Sequence, residues 1–239
     1  MGVDVKQLKN AAEDIHTRGE KIGNNISKIY ESIKLMQNYW TGESYRAFVS
    51  VVNTMEDDFN RINKYFAKTL PTELYKKRKA ILKASGSKKT EAIPTFKIPA
   101  KVANIKITNK SDEIEFKEEK INTYENQIKT SFNEIQNQLK TILDEFLALK
   151  WGGTSGSLMK KMIKSRINTM SSALKELSKA MSNNITATKK AMKKVDDSNS
   201  TSDESDNLGN TTNTSKATSE LSKIAADLDS SDLNWERMT

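Results

Sequence analysis

The 239-residue sequence contains no cysteine, one histidine, three prolines and nine glycines. Each scarcity excludes something. Without cysteine there is no disulfide framework, no thiolate nucleophile and no cysteine-based zinc site. A single histidine, His16, argues against Ser-His catalysis and against a multi-histidine metal centre. So few Gly and Pro argue against an all-β chain, whose many turns need both. No run of about eighteen apolar residues exists, so no transmembrane helix is expected. Residues Met1 to Asn10 alternate in charge and lack an apolar core, unlike a secretory signal peptide. Lys6 breaks the myristoylation pattern that Gly2 would open. Export, if it occurs, is expected to use a route without a cleavable signal.

What is present is charge and periodicity. Hydrophobic residues make up 36% and charged residues 29%, the balance of long helices that each carry one apolar stripe. From Asp4 to Asn38 the apolar residues Val5, Leu8, Ala12, Ile15, Ile22, Ile26, Ile29, Ile33 and Met36 step by three and four, with Gly19 filling the one gap. This is a heptad seam. A second seam, Tyr45, Phe48, Val52, Met55, Phe59, Ile62 and Phe66, starts near Glu43, with Thr69 in the following slot. Pro71 predicts a break or kink there, and helix resumes over Thr72–Lys83. Ser111 reads as an N-cap followed by acids in the first turn. The third seam then runs Ile114, Ile121, Tyr124, Ile128, Phe132, Ile135, Leu139, Ile142, Phe146, Leu149. The fourth, over Thr154–Val195, is Met159, Ile163, Ile167, Met170, Leu174, Leu177, Met181, Ile185, Met192, Val195.

Two stretches differ. Residues 84–111 hold Ser85-Gly86-Ser87, Ile93-Pro94 and Ile98-Pro99. Their partial alternation is compatible with one short strand or a hairpin; we read them as an ordered linker between two halves. Asp196–Ser215 is Ser/Thr/Asn/Asp-rich and is expected to be disordered. Beyond it, Ser219–Asp229 suits one short amphipathic helix with Leu221, Ile224, Ala225 and Leu228 on one side, before Leu233, Trp235 and Met238. The 196–239 tail is acidic, with ten acids against three bases.

Both halves are interrupted by the same motif, Trp40-Thr41-Gly42 and Trp151-Gly152-Gly153, 111 positions apart. Glycine can adopt the left-handed backbone that ends a helix. Glu43-Ser44 or Thr154-Ser155 then favour a new start by charge and capping. The tryptophan is placed to plug the open end of a bundle. Each half therefore reads as a helical hairpin. In this, each half resembles the WXG100 (ESAT-6-like) family of proteins handled by type VII secretion systems, over residues 1–83 and 112–195. The resemblance implies an all-α fold. Two antiparallel helical hairpins would form an intramolecular four-helix bundle, a fused pseudo-dimer, with the Trp turns at opposite ends and the disordered tail outside it.

The resemblance also implies a non-enzymatic protein that is cytoplasmic before export and then secreted. It would act as a secreted factor, effector partner or targeting module. Its implied partners are the type VII secretion ATPase and a cognate effector or another WXG-type protein. The family's Tyr-x-x-x-Asp/Glu signal has no counterpart after the second helix, so Leu221, Ile224, Leu228, Leu233 and Trp235 are the candidate export or docking segment. The competing readings are a cytosolic helical scaffold or adaptor and a membrane-active protein. The latter is motivated by the basic clusters Lys76–Lys79, Lys160-Lys161 with Lys164 and Arg166, and Lys189-Lys190 with Lys193-Lys194. The aromatic residues fall on the seams and not between the bases, so nucleic acid is not expected, and a solvated helix face is favoured over a membrane surface. No nucleophile–base pair, cofactor motif or metal constellation is visible, so no catalytic, cofactor-binding or metal residues are assigned. The methionines of the fourth helix are read as core, and His16 as an exposed residue off the seam.

Overall fold

The computed structural model describes residues 4–87, 91–109, 115–198 and 211–230. Among these the fold is all-helical and bundle-like: α1 (Val5–Met36), α2 (Glu43–Asn53), α3 (Glu56–Lys64), a π-helical turn (Tyr65–Thr69), α4 (Leu70–Ala84), α5 (Glu118–Ala148), α6 (Gly153–Ser198) and α7 (Thr211–Ser230). Asp4 caps α1 by accepting the backbone N–H groups of Lys6 and Gln7 at 2.9 and 3.1 Å, satisfying donors that the helix leaves orphaned. The seams are the core. Leu8, Ile15, Ile22, Ile26, Ile29, Ile33 and Met36 of α1 are buried, as are Ile128, Phe132, Ile135, Leu139, Ile142 and Phe146 of α5. On α6 the methionines 159, 170 and 181 are buried, consistent with core packing, while Met192 is half-buried.

Contacts along the rods fix their directions. α1 and α5 are antiparallel: Arg18 pairs with Glu145 at 2.7 Å, and Ser32 donates to Gln127 at 3.2 Å. α1 also runs antiparallel to the second arm, with Tyr45 Oη donating to the carbonyl of Ile33 and Tyr75 Oη to Glu13. α5 and α6 form the second antiparallel pair through Glu125–Ser182 and Gln136–Ser171. α7 packs on α6, α3 and α2.

Several expectations are corrected. The break at Pro71 is a π turn without loss of helix. Proline removes the N–H that an α-helix offers to the carbonyl four residues back, here Ala67. His16 Nδ1 lies 2.6 Å from that oxygen and supplies the missing donor, so His16 is half-buried and not a surface residue. The π turn adds one residue to the register, which is why Leu70 is buried in the slot assigned to Thr69. Opposite the turn sits Gly19, where a Cβ would lie 2.4 Å from the backbone of Phe66 and Ala67. The gap in the first seam is therefore the place where two helix backbones meet. The long second helix is also interrupted at Thr54–Met55, where Thr54 Oγ1 bonds the carbonyl of Val51 at 2.7 Å. α5 starts at Glu118, seven residues after the expected cap Ser111; Ser111 and Ile114 lie outside the described residues. Glu125, and not its neighbour Tyr124, takes the buried place on that seam.

The tail departs most from expectation. Asp196–Ser198 continue α6, and helix covers Thr211–Ser215 within the stretch expected to be disordered. α7 begins eight residues before the expected Ser219. Its seam of Thr214, Ala217, Leu221, Ala225 and Leu228 is buried, and Ser222 donates to the buried Asp58 at 2.5 Å. Packing against three neighbours overrides a composition that disfavours helix.

The linker is ordered but contains no strand over residues 91–109. It runs extended along the first hairpin, and side chains take the place of a partner strand. Asn60 donates to the carbonyl of Val102 at 3.0 Å and accepts its N–H at 3.0 Å. Asn53 does the same to Ile105, at 3.1 and 2.8 Å. Asn53 and Asn60 stand seven residues apart across the Thr54–Met55 interruption, a separation worth about 10.5 Å at helical rise, and three extended residues span about 10 Å, so the two clamps are in step. Gln37 catches Thr108, and Phe96 packs between His16 and Tyr75. Asn60→Leu is expected to cost roughly 1–3 kcal/mol. It should also speed amide exchange at Val102 and Ile105 and open residues 91–109 to proteolysis. Unchanged exchange at both amides would show that the clamp is not what holds the linker.

Candidate functional site

The two Trp turns are the first candidate. Trp40 is wholly buried. Its ring stacks on Phe48 at 5.4 Å and meets Tyr45 at 5.5 Å and Phe116 at 5.6 Å, while Nε1 donates to Ser44 Oγ at 2.9 Å. Gly42 comes next but one, with φ 91° and ψ −173°, a region open essentially to glycine alone. The turn is bridged to the start of the second half: Thr41 N–H donates to Glu115 O, Lys117 N–H to Tyr39 O, and Glu115 N–H to Thr41 Oγ1. The second turn has the same plan. Trp151 is buried, and Gly153 has φ 82°. A Cβ on Gly156 would lie 2.4 Å from the Trp151 carbonyl oxygen, whereas Gly152 faces open space. Lys77 lies 6.0 Å from the Trp151 ring centroid, within cation–π range. This turn meets the start of α1, where Asp4 N–H donates to Lys150 O at 3.2 Å. The first turn adjoins the end of α1 and the second its beginning, so the two tryptophans lie at opposite ends of the bundle.

Of the tail residues singled out, Leu221 and Leu228 are buried against the protein's own helices and Ile224 is partly buried. Leu233 and Trp235 lie outside the described residues. The basic clusters serve structure in part. Lys160 Nζ donates to Leu149 O at the end of α5 at 2.5 Å, Arg78 binds Val5 O and Glu91, and Lys193 pairs with Glu118. Among the described residues no helix is long and apolar enough to cross a membrane, and no group of three or more His, Asp or Glu side chains is placed to hold a metal ion.

The periodicity did not single out Glu125, the buried acid at the α5–α6 contact. It accepts from Lys189 at 2.5 Å, from Lys129 at 2.6 Å and from Ser182 at 2.6 Å, and Asn122 also binds Lys189. Burial by itself pushes this carboxyl up. The bonds from Lys129, Lys189 and Ser182 outweigh it and hold the carboxyl below its ordinary value. A lowered native value means stability that is present above the ordinary carboxylate range and is lost as pH falls through the native value. Glu125→Gln is expected to cost roughly 2 kcal/mol at neutral pH. Melting curves of the two proteins should converge on acidification. A constant gap down to about pH 3, below the ordinary carboxylate range, would count against the ionised cluster. The signal in the sequence was that Glu125, like Tyr124, fits the three-and-four step between Ile121 and Ile128, with Lys129 four residues on.

Compared with protein-family models, curated proteins and solved structures, the chain has no match.

Proposed function

We propose that this chain is a tandem WXG100-type protein, a non-enzymatic substrate of a type VII secretion system that acts as a secreted factor or effector partner. In this reading α1 with α2–α4 and α5 with α6 are two hairpins fused into one intramolecular four-helix bundle, a pseudo-dimer in a single chain. One observation carries the reading. Two Trp-Xaa-Gly turns, each with a glycine at positive φ and a buried tryptophan, stand at opposite ends of antiparallel helices. Helical pairs of this kind bury their apolar faces in each other and offer partners a rod of polar surface. The secretion ATPase and a cognate effector, or another WXG-type protein, are the partners this reading supplies.

The test is export. Culture supernatant and cytosol are compared by mass spectrometry, in cells with and without the type VII ATPase, with lysis controls. ATPase-dependent appearance outside the cell is the expected result. Removal of residues 211–239 then asks whether the chain from α7 onward carries the signal. Retention inside an actively secreting cell would overturn the proposal in favour of a cytosolic adaptor.

A further inference from the structure

The first hairpin carries an extended segment in its outer groove. The second hairpin has the corresponding groove; α7 borders its α6 wall at Lys179 and Asn183, and among the described residues no extended segment lies in it. Superposing the buried seams pairs Ile15, Ile22, Ile26 and Ile29 of α1 with Ile128, Ile135, Leu139 and Ile142 of α5, and Phe48, Val52 and Phe59 of the second arm with Met159, Ile163 and Met170 of α6. On this correspondence Asn60 becomes Ser171, Ala67 becomes Ser178, and Gly23 becomes Gln136. The cleft between α5 and α6 is lined by Gln136 and Ser178 and by Lys129, Asn133, Lys175, Lys179 and Asn183. It is therefore the counterpart of the place where Phe96 and Pro99 lie on the first hairpin, against His16 and Gly23.

The two grooves differ in one chemical respect. Where His16 meets the Phe96 ring, the second groove has Lys129; Lys175 and Lys179 stand on the opposite wall. Lys129 shares Glu125 with Lys189, so that acid is already matched by two cations. Asn133, Lys175, Lys179 and Asn183 are exposed, and they make no side-chain hydrogen bond or ion pair within the described residues. Side-chain amides of the same type hold the linker backbone on the first hairpin.

We propose that the α5–α6 groove binds an extended acidic peptide segment of a partner protein. Asn133 and Asn183 take its backbone amides, and Lys129, Lys175 and Lys179 take its carboxylates. The inference is independent of the export reading, because it rests on the linker in the first groove and on the charge of the second.

The probe is a fluorescein-labelled peptide of alternating Asp and Val, long enough to span the groove, titrated into the full chain in low salt. A Lys/Val peptide and heparin are the comparators. The acidic peptide is expected to bind and the basic one not to. Amide shifts should cluster on residues 129–136 and 171–183. The exposed double variant Lys175→Glu/Lys179→Glu should weaken binding at least tenfold with an unchanged circular dichroism spectrum. Asn133→Ala/Asn183→Ala should weaken the peptide several-fold while leaving heparin unaffected, since heparin has no peptide backbone to read. Absence of acidic-peptide binding would overturn the proposal. So would shifts elsewhere on the bundle, or equal sensitivity of peptide and heparin to every variant, which would mark a general polyanion surface.

Discussion

Trp40→Ala should lower stability by roughly 3–5 kcal/mol, the range for truncating a fully buried large aromatic. The ring has three aromatic neighbours within 5.6 Å and none of its surface in water. Its removal also strips Ser44 of its indole donor. The loss should be local before it is global. Amide exchange should rise first at residues 39–45 and 115–121, because Phe116 leans on the same ring and the Tyr39–Lys117 and Thr41–Glu115 bonds join the two segments. Trp40→Phe should recover part of the loss, since a ring returns without the N–H. Urea denaturation of the three proteins measures this. A loss below about 1 kcal/mol for Trp40→Ala, well under the usual cost of such a truncation, would show that the end of the bundle closes without it. It would turn attention to an exposed, partner-facing role.

Gly19→Ala sets two effects of opposite sign against each other. Helix propensity alone favours alanine by about 1 kcal/mol in a helix interior. The added Cβ, however, would lie 2.4 Å from backbone atoms of Phe66 and Ala67, which cannot rotate away as a side chain can. The α1 and π-turn backbones would have to separate, loosening Ala67 from His16 and Phe96 from its pocket. The expected net loss is about 3 kcal/mol or more, at the upper end of overpacking costs. Gly152→Ala is the internal control: its Cβ meets nothing within 4 Å, and its melting temperature should barely move. A stabilised Gly19→Ala protein would mean that the close crossing is not present in solution.

The regular parts of this molecule were legible because they are local. Three-and-four spacing fixed the helices, and the Trp-Xaa-Gly triplets marked the turns before any contact was known. What escaped the periodicity depends on partners distant in the chain. Pro71 announced an irregularity, but only the approach of His16, 51 residues away from the carbonyl it serves, shows how the Ala67 oxygen finds a donor there. The linker's partial alternation left a short strand open, but its hydrogen bonds go to Asn53 and Asn60 and not to a neighbouring strand. The seam of α7 is mostly threonine and alanine, with two leucines, and the composition around it resembles a solvated tail. Glu125 looked like one acid among many, since nothing in the local sequence shows that Lys189 folds back beside it.

The way α7 is attached gives the molecule an uneven resistance to force. A pull applied beyond Ser230 loads α7 first, and the ties that hold it to the second arm include the hydrogen bond from Ser222 to Asp58. That helix should peel away turn by turn. α6 comes next and must break the Glu125–Lys189 cluster near the end where the pull enters. The first hairpin, strapped lengthwise by its own linker, would yield last. A machine that threads this chain from its C-terminal side would therefore meet its obstacles in rising order, with each step exposing the helix on which the next grip can act.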